Sequence, residues 1–528
     1  MRLRVESLRY GVEEEPADIA HLLVERLGLA IDSIKDIRIL RKSLDARRRR
    51  HFWVVTLEVT VEGVSSTAEQ RIIKRDGVRL ISEAAATERR IPKWRQDKKV
   101  VIVGCGPAGI FAALALTKRG MKPEIIERGR QVEQRIADVE GFWKRGVLRD
   151  DSNVQFGEGG AGTFSDGKLT TRIKDQRKEQ VLQELIEAGA SREIAYLNRP
   201  HLGTDRLVPI IRRLREHLEA RGAEIRFEER LIDIVEEKGR LRGVVTTRGT
   251  MEVDHLFLAI GHSARETYEM LQRKGVAMTS KPFAVGLRIE HPQRLVDLSR
   301  YGRSATHPRL GAAEYFFTYK DSVSGRGVYT FCMCPGGYVV AGSSERETVT
   351  TNGMSRALRN SEYGNSAVVV TVGQKDFGSD HPLAGLFFQR RLEEDAYLMG
   401  GGGYVAPVQK AGDFLEGAIS EETPYCTYLP GVRNADLRKL LPTFLLGPLQ
   451  AGLLHFASKM KGFIRQGVLV GVETRTSSPV RILRRDTNCH SISLPGLIPV
   501  GEGAGYSGGI VSSAVDGIRA AEQFHLEP

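Results

Sequence analysis

Three basic side chains of this 528-residue chain stand beside glycine-rich stretches, a placement suited to gripping an anionic group or moving a proton next to one. Lys168 directly follows Asn153-Val-Gln-Phe-Gly157-Glu-Gly159-Gly160-Ala-Gly162-Thr163-Phe-Ser165-Asp166-Gly167, and His262 and Arg265 follow a short apolar run that closes on Gly261. They are the candidate catalytic residues. Dense glycine with Thr163 and Ser165 interspersed can present amides and hydroxyls to phosphate. Cys332-Met-Cys334 is the other reactive constellation. In a regular strand its two side chains share one face with Cα atoms about 6.5–7 Å apart, the limit for bridging, so packed thiols are expected there. Five cysteines, odd in number and without paired spacing, fit a reducing cytoplasm. No metal site is expected.

The elements that must position such groups begin with Val100-Val-Ile-Val-Gly104-Cys-Gly106-Pro107-Ala108-Gly109. Its β-branched run predicts a buried parallel strand. Gly104 then allows a tight turn, Gly106 lets backbone approach a pyrophosphate, and Gly109 is small where the next helix crosses the sheet. That helix is predicted from Pro107 to Arg119, with proline where a missing N–H costs little. Its first amides and partial positive charge suit phosphate. Lys122 to Glu127 reads as the next strand, ending eighteen residues beyond Gly109 on a carboxylate placed for ribose hydroxyls. An acid there repels a 2′-phosphate and argues against NADP. Cys105, inside the turn, needs only to be small.

Almost four hundred residues later, Pro499-Val-Gly501-Glu502-Gly-Ala-Gly-Tyr-Ser-Gly508-Gly509-Ile510 opens the last helix. One glycine turn implies a dinucleotide. Three separated glycine clusters imply one long enough to be held at several points, and the expected cofactor is FAD. Gly400 to Gly403 lacks a strand–helix frame and an acid, so no dedicated NAD(P)H domain is read, although NAD(P)H remains a transient electron donor to test.

Length predicts three or four domains, and no run of about 18 apolar residues marks a membrane span. Phe444 to Phe456, broken by Gly447, Pro448 and Gln450, reads as a buried helix start. The net charge of +12 is uneven: residues 1–99 hold 22 Lys+Arg against 16 Asp+Glu, leaving +6. Arg47-Arg-Arg-Arg-His51 is the sharpest piece. Without interleaved aromatics it reads as a solvated turn between the strands Ile37–Leu44 and Phe52–Val61 rather than a nucleic-acid loop. Leu3–Leu8 as a strand, Pro16–Leu27 as a helix and those two strands suggest a small ferredoxin-like α+β unit, with Thr87–Asp97 as linker. Farther on, Thr204 is expected to cap a helix to Arg221. Strands are expected at 224–227, 231–236, 241–247 and 253–260, and others at 282–290, 327–332 and 338–342 in a separate sheet.

Strand-glycine turn-Glu127, the second glycine loop, Leu258-Ala259-Ile-Gly261 and Gly501-Glu502 together resemble the glutathione-reductase-like FAD superfamily. Ser43-Leu-Asp-Ala-Arg47, Gly159 to Leu169, Phe331-Cys-Met-Cys-Pro-Gly-Gly337, Asn352-Gly-Met-Ser355 and Glu473-Thr-Arg-Thr-Ser-Ser-Pro479 resemble a family of bacterial FAD-dependent dehydrogenases. The resemblance implies a Rossmann-like, three-layer α/β FAD domain with a parallel central sheet. It occupies residues 96–280 and 495–528, with an inserted α+β cap at 281–494 and the small domain at 1–95. It further implies cofactor contacts from Gly104, Gly106, Pro107, Ala108, Gly109, Glu127, Arg128, Gly159, Gly160, Gly162, Thr163, Ser165, Gly167 and Lys168. Leu231, Ala259, Gly261, Gly501, Glu502, Gly508, Gly509 and Ile510 complete that set. Glu502 stands where many members carry Asp. The implied function is hydride or electron transfer through flavin N5 to or from a small molecule beneath the cap, in the cytoplasm. The alternatives are a flavin-dependent RNA-modifying enzyme using the basic N-terminal domain, and a non-catalytic FAD-binding interaction protein.

Overall fold

The structure is a computed structural model describing residues 1–14, 18–47, 50–81 and 98–525. The expected linker 87–97 lies outside the described residues, as do Arg48 and Arg49 of the basic run. The described residues fall into two compact units, one drawn from 1–90, 191–200 and 300–311, the other from the remainder.

In the first unit, alternating burial along Arg2–Gly11 and Phe52–Val61 puts Leu3, Val5, Val55, Leu57 and Val59 on one covered face. These strands join Ile34–Asp45 and Val78–Leu80 in a four-stranded antiparallel sheet, spatial order second-third-first-fourth. Helices Asp18–Leu27 and Ser66–Ile73 give the chain order β-α-β-β-α-β. The second helix and fourth strand are additions to the sequence reading. They are short, with exposed Arg79 and Leu80 weakening the periodic signal. Two distant segments also pack here: Lys42 N–H donates to Tyr196 O at 2.8 Å and Asn198 N–H to Lys42 O at 2.9 Å, while Arg309 Nη1 donates to Val12 O at 3.4 Å.

The second unit is built around five parallel strands: β1 (Val100–Val103), β2 (Glu124–Ile126), β3 (Glu224–Arg226), β4 (His255–Leu258) and β5 (Leu497–Pro499), in the order β5-β4-β1-β2-β3. β1, β4 and β5 are buried throughout, as apolar parallel strands require. Helix α1 (Pro107–Thr117) follows β1 and is buried at every residue after Pro107, consistent with its all-apolar sequence. Helix α2 (Thr204–Ala220) precedes β3, and helix α3 (Ile510–Gln523) follows β5. Thr204 is not the cap: Gly203 holds that position, and Thr204 Oγ1 instead donates to Ser165 O at 2.8 Å, tying α2 to the glycine loop. Leu231–Glu237 and Arg240–Thr246 leave the parallel sheet and pair antiparallel with each other and with Gly249–Glu252.

A second, seven-stranded sheet runs Thr318–Lys320, Gly327–Cys334, Tyr363–Val372, Phe283–Pro292, Val468–Glu473, Ala406–Lys410, Val432–Asn434. Every neighbouring pair is antiparallel except the last. The strand expected at 338–342 is not in it. Gly337–Ala341 pairs only with Thr351–Ser355 as a separate two-stranded ribbon. The Phe444–Phe456 segment lies in the helix Thr443–Lys459, with Pro448 inside it and Leu445, Leu449, Leu453 and Phe456 buried. Among the described residues no helix is long and apolar enough to cross a membrane.

Candidate active site

The fold gathers the glycine segments at the carboxyl ends of β1, β4 and β5. After β1, Gly104 sits at φ 104°, and a Cβ there would lie 2.3 Å from Ala259 O at the end of β4. The backbones of the two strand ends therefore touch, which only glycine permits. The loop 157–167 closes over the same turn. Gly159 N–H donates to Cys105 O at 2.7 Å, and a Cβ on Gly160 would stand 3.1 Å from Gly106 Cα. The C-terminal segment arrives from the other side. A Cβ on Gly501 would meet Ala108 Cβ at 2.6 Å, one on Gly503 would meet Gly261 O at 2.4 Å, and one on Gly162 would meet Ile510 at 3.0 Å. Segments 104–109, 157–167, 259–261 and 501–510 thus form one rim, where the first amides of α1 and α3 have no intrahelical acceptor.

A cofactor requires room as well as amides. Extra Cβ atoms on Gly261 and Gly508 would meet nothing within 4 Å, and one on Gly106 only Gly160 Cα at 3.7 Å. The rim is closely packed underneath and open at those three positions. Glu158 Oε1, buried in the glycine loop, has no hydrogen-bond partner. Its carboxyl is pushed up to about 7 by burial, against the pull of the Val132 amide and Arg215. An open, amide-lined rim of this kind fits a dinucleotide pyrophosphate.

Glu127 is buried and already engaged. Its Oε1 accepts the amides of Gly129 and Gly157, both at 2.9 Å, and its Oε2 that of Cys105 at 2.7 Å. Arg128 is held by Asp151 at 2.7 Å and by Glu266, and lies over the Phe156 ring at 3.9 Å. Within the loop, Ser165 Oγ donates to Gly162 O at 2.7 Å and accepts from Gly167 N–H at 3.0 Å. Thr163 Oγ1 sits 3.4 Å from Glu158 O. These hydroxyls shape the loop. Leu231 packs its side chain into the core beside Val101, Val103 and Ile126.

The candidate catalytic residues fall into two clusters. Lys168 pairs with buried Asp166 at 3.1 Å and donates to Met333 O. Burial opposes its charge, but Asp166 outweighs this and holds the ammonium above its ordinary range. Arg359 shares Asp166, at 2.9 Å from Oδ1. The other cluster surrounds His262 and Arg265. Arg265 is fully buried between Glu345 and Glu393, and Glu393 also takes Arg475 at 2.8 Å. Its guanidinium is committed to an ion-pair network, so it is a structural cation. His262 Nδ1 lies 2.9 Å from Ser263 Oγ, and burial, with Arg475 and Arg265 nearby, pulls its imidazole down to about 3. It is neutral at physiological pH. Lys168 and Arg265 share no hydrogen-bond or ion-pair partner among the described residues.

Several residues central to this geometry escaped sequence reasoning. Arg135, fully buried, donates to the carbonyls of Asn153, Val154, Glu158 and Gly160 at 2.7–2.9 Å and so holds the glycine loop in shape. Burial lowers its guanidinium to about 10, leaving it charged. Tyr268 Oη donates to Gly261 O at 3.0 Å and Gly503 O at 2.7 Å, pinning two glycine segments together. Asp516 accepts from Gly501 N–H at 2.8 Å and pairs with Arg484 at 2.5 Å. Each acts on residues far away in sequence, and an isolated Arg, Tyr or Asp on a helix carries no local signal of that. Glu502 is half-buried. Burial pushes its carboxyl up to about 7, with Lys281 acting in the opposite direction.

A protein of Clostridium beijerinckii, described as uncharacterized, is 43% identical over 532 residues, covering 99% of this chain and 98% of that one. This chain belongs to the family of that protein. Residues 282–476 match the family described as FAD-dependent protein, C-terminal domain-like, and residues 2–60 match a domain of unknown function, DUF8436. Among solved structures, similarity is slight. A geranylgeranyl bacteriochlorophyll reductase-like protein of Thermoplasma acidophilum is 13% identical, covering 80% of this chain and 77% of that one, with a TM-score of 0.34. CtdE, solved in complex with FAD, is 11% identical over 81% and 83%, with a TM-score of 0.30. The flavin-dependent brominase Bmp2 is 11% identical over 81% of each, with a TM-score of 0.36.

Proposed function

We propose that this family member is an FAD-dependent oxidoreductase acting on a small molecule. The observation that carries the reading is the convergence of four glycine segments on one rim, Gly104 against Ala259, Gly160 against Gly106, Gly501 against Ala108 and Gly503 against Gly261. The FAD-dependent domain match over 282–476 is independent support. The Gly104–Gly109 turn and the N-terminus of α1 would hold the pyrophosphate. Glu127 retains one lone-pair position on Oε2 beyond its three amides, enough to accept one ribose hydroxyl. Gly509 and Ile510 would offer amides at the start of α3 to the flavin end, next to Gly508, whose own N–H goes to Ser512 Oγ at 3.2 Å. When bound, FAD supplies two-electron hydride chemistry at N5. The chain's own share is to orient, to exclude water and to place charge. Lys168 is a fixed cation at the end of the glycine loop, and His262 is an imidazole that burial and the neighbouring arginines keep neutral.

The test is the visible spectrum of the purified protein, followed by anaerobic titration with NADH and NADPH. Flavin absorbance that bleaches with a donor and returns with an acceptor is the expected result. A colourless protein that takes up no added FAD would sink the reading. Bound flavin that neither reduces nor reoxidises would leave a non-catalytic flavoprotein. In the active protein, Lys168→Ala is expected to lower turnover with FAD content intact.

A further inference from the structure

The thiols of Cys332 and Cys334 do not lie as two residues on one face of a regular strand. Phe331 pairs with Ala367 and Cys334 with Asn365, so the ladder takes up one extra residue between them. Cys332 occupies this bulge at φ 47°, a region that a non-glycine residue enters at a cost. Cys334 is fully buried and Cys332 partly exposed, and the Cys334 thiol donates to Cys332 O at 3.5 Å, which sets its sulfur against the Cys332 residue. Gly353 makes the room: a Cβ there would stand 2.8 Å from Cys334 Sγ and 2.4 Å from an Arg288 nitrogen.

The electrostatic surroundings are uneven. Lys168 is anchored on Met333 O, between the two cysteines. Arg288, fully buried and held by Glu473 at 2.9 Å, acts on both thiols. Asp166 and Glu502 oppose these cations at Cys332. The neighbouring Cys334 side chain, ahead of burial, and then Lys168 and Arg288 draw the Cys332 thiol down, while Cys334 is driven up. Burial pushes the other three cysteines, Cys105, Cys426 and Cys489, upward.

We propose that Cys332 and Cys334 form a thiol–disulfide exchange site for small-molecule disulfides, with Cys332 attacking and Cys334 resolving. The Cys332 thiolate attacks one sulfur of R–S–S–R. The R–S–S–R bond breaks, a mixed disulfide forms on Cys332, and RS⁻ departs and takes up a proton. Cys334 then gives its proton to solvent and attacks Cys332 Sγ, and the second RS⁻ departs and is protonated. The two protein thiols lose two electrons to the substrate, which leaves as two thiols. The site does not depend on bound flavin.

The experiment uses the reduced full chain and 2-hydroxyethyl disulfide as probe, read by peptide and intact-mass spectrometry, with flavin absorbance recorded separately. Iodoacetamide is expected to label Cys332 at lower pH than, and ahead of, the other four cysteines. Lys168→Met should slow that labelling at pH 6.5 by about threefold or more. With the probe, wild type should lose two hydrogens in mass, while Cys334→Ser should stop at one mixed disulfide, on Cys332. That stalled adduct is a gained signal at a single site, whereas an unfolded variant would react at all four remaining cysteines. Labelling of Cys332 no faster than Cys426 at pH 7, or a wild type that stops at the mixed disulfide, overturns the proposal. Exchange in a protein without flavin would uphold this site while sinking the flavin reading, and flavin without exchange would do the reverse.

Discussion

Glu502 shows how a single residue of the rim makes the fold sensitive to pH. Its carboxyl titrates near 7 in the folded chain against an ordinary 4.5, so the folded state binds a proton that the unfolded state releases. Stability from this group is present in full below about pH 4.5 and is lost as pH rises through 7. Glu502→Gln removes the titration. The melting temperature of the flavin-free variant should exceed wild type at pH 8 and match it at pH 4.5. An equal gain at both values would show that the carboxyl is not buried in its acid form. At the same scale, Glu502 was visible in the sequence as an acid next to Gly501, but its proton affinity was not. That affinity depends on Lys281, over two hundred residues away, and on the depth of burial.

At the scale of elements, the contact between α1 and α3 is decisive for the rim. Gly517 lies in α3 one turn from Ser513, and a Cβ there would stand 2.1 Å from Ala108 O. The middle of α3 can cross the N-terminus of α1 this closely only because that atom is missing. Gly517→Ala forces them apart and should destabilise the protein by about 1–3 kcal/mol in denaturant unfolding. The variant should also weaken flavin retention on dialysis. Unchanged stability together with unchanged retention would mean the helices can separate without harm. Strand, turn and α1 were legible at this scale because hydrophobic period, Gly104 and Pro107 are local signals. The Gly203 cap, the bulge at Cys332 and the separate ribbon Gly337–Ala341 were not. Each is set by a partner strand or helix, and tertiary pairing outweighs local preference.

For the whole molecule, the uneven charge remains the open functional matter. Arg47 is exposed and pairs with Asp45, two residues before it, at 2.8 Å where the strand Ile34–Asp45 ends. In filter binding at 0.15 M salt, the full chain and an Arg47→Ser/Arg50→Ser variant should retain single-stranded RNA equally, at background. Strong retention by wild type that falls steeply with salt and is lost in the variant would revive the RNA-modifying alternative. The first unit is best tested within the full chain, because residues 191–200 and 300–311 pack into it.

The sequence by itself determined the strand–turn–helix around Gly104, the acid at Glu127, the α2 and α3 helices and the glycine content of the rim. Those follow from residue type and short-range periodicity. Only the tertiary structure decided that Gly501 rests on Ala108 and Gly503 on Gly261, that Arg135 shapes the glycine loop, and that Arg265 is spent on Glu345 and Glu393. It also set Cys332 beside Lys168 and Arg288. The physical reason is common to all of them. Close approach, desolvation and charge pairing are properties of atoms brought together from separate stretches of the chain, from 23 residues apart for Arg135 and Glu158 to almost four hundred for Gly501 and Ala108, and no short window of sequence contains both partners.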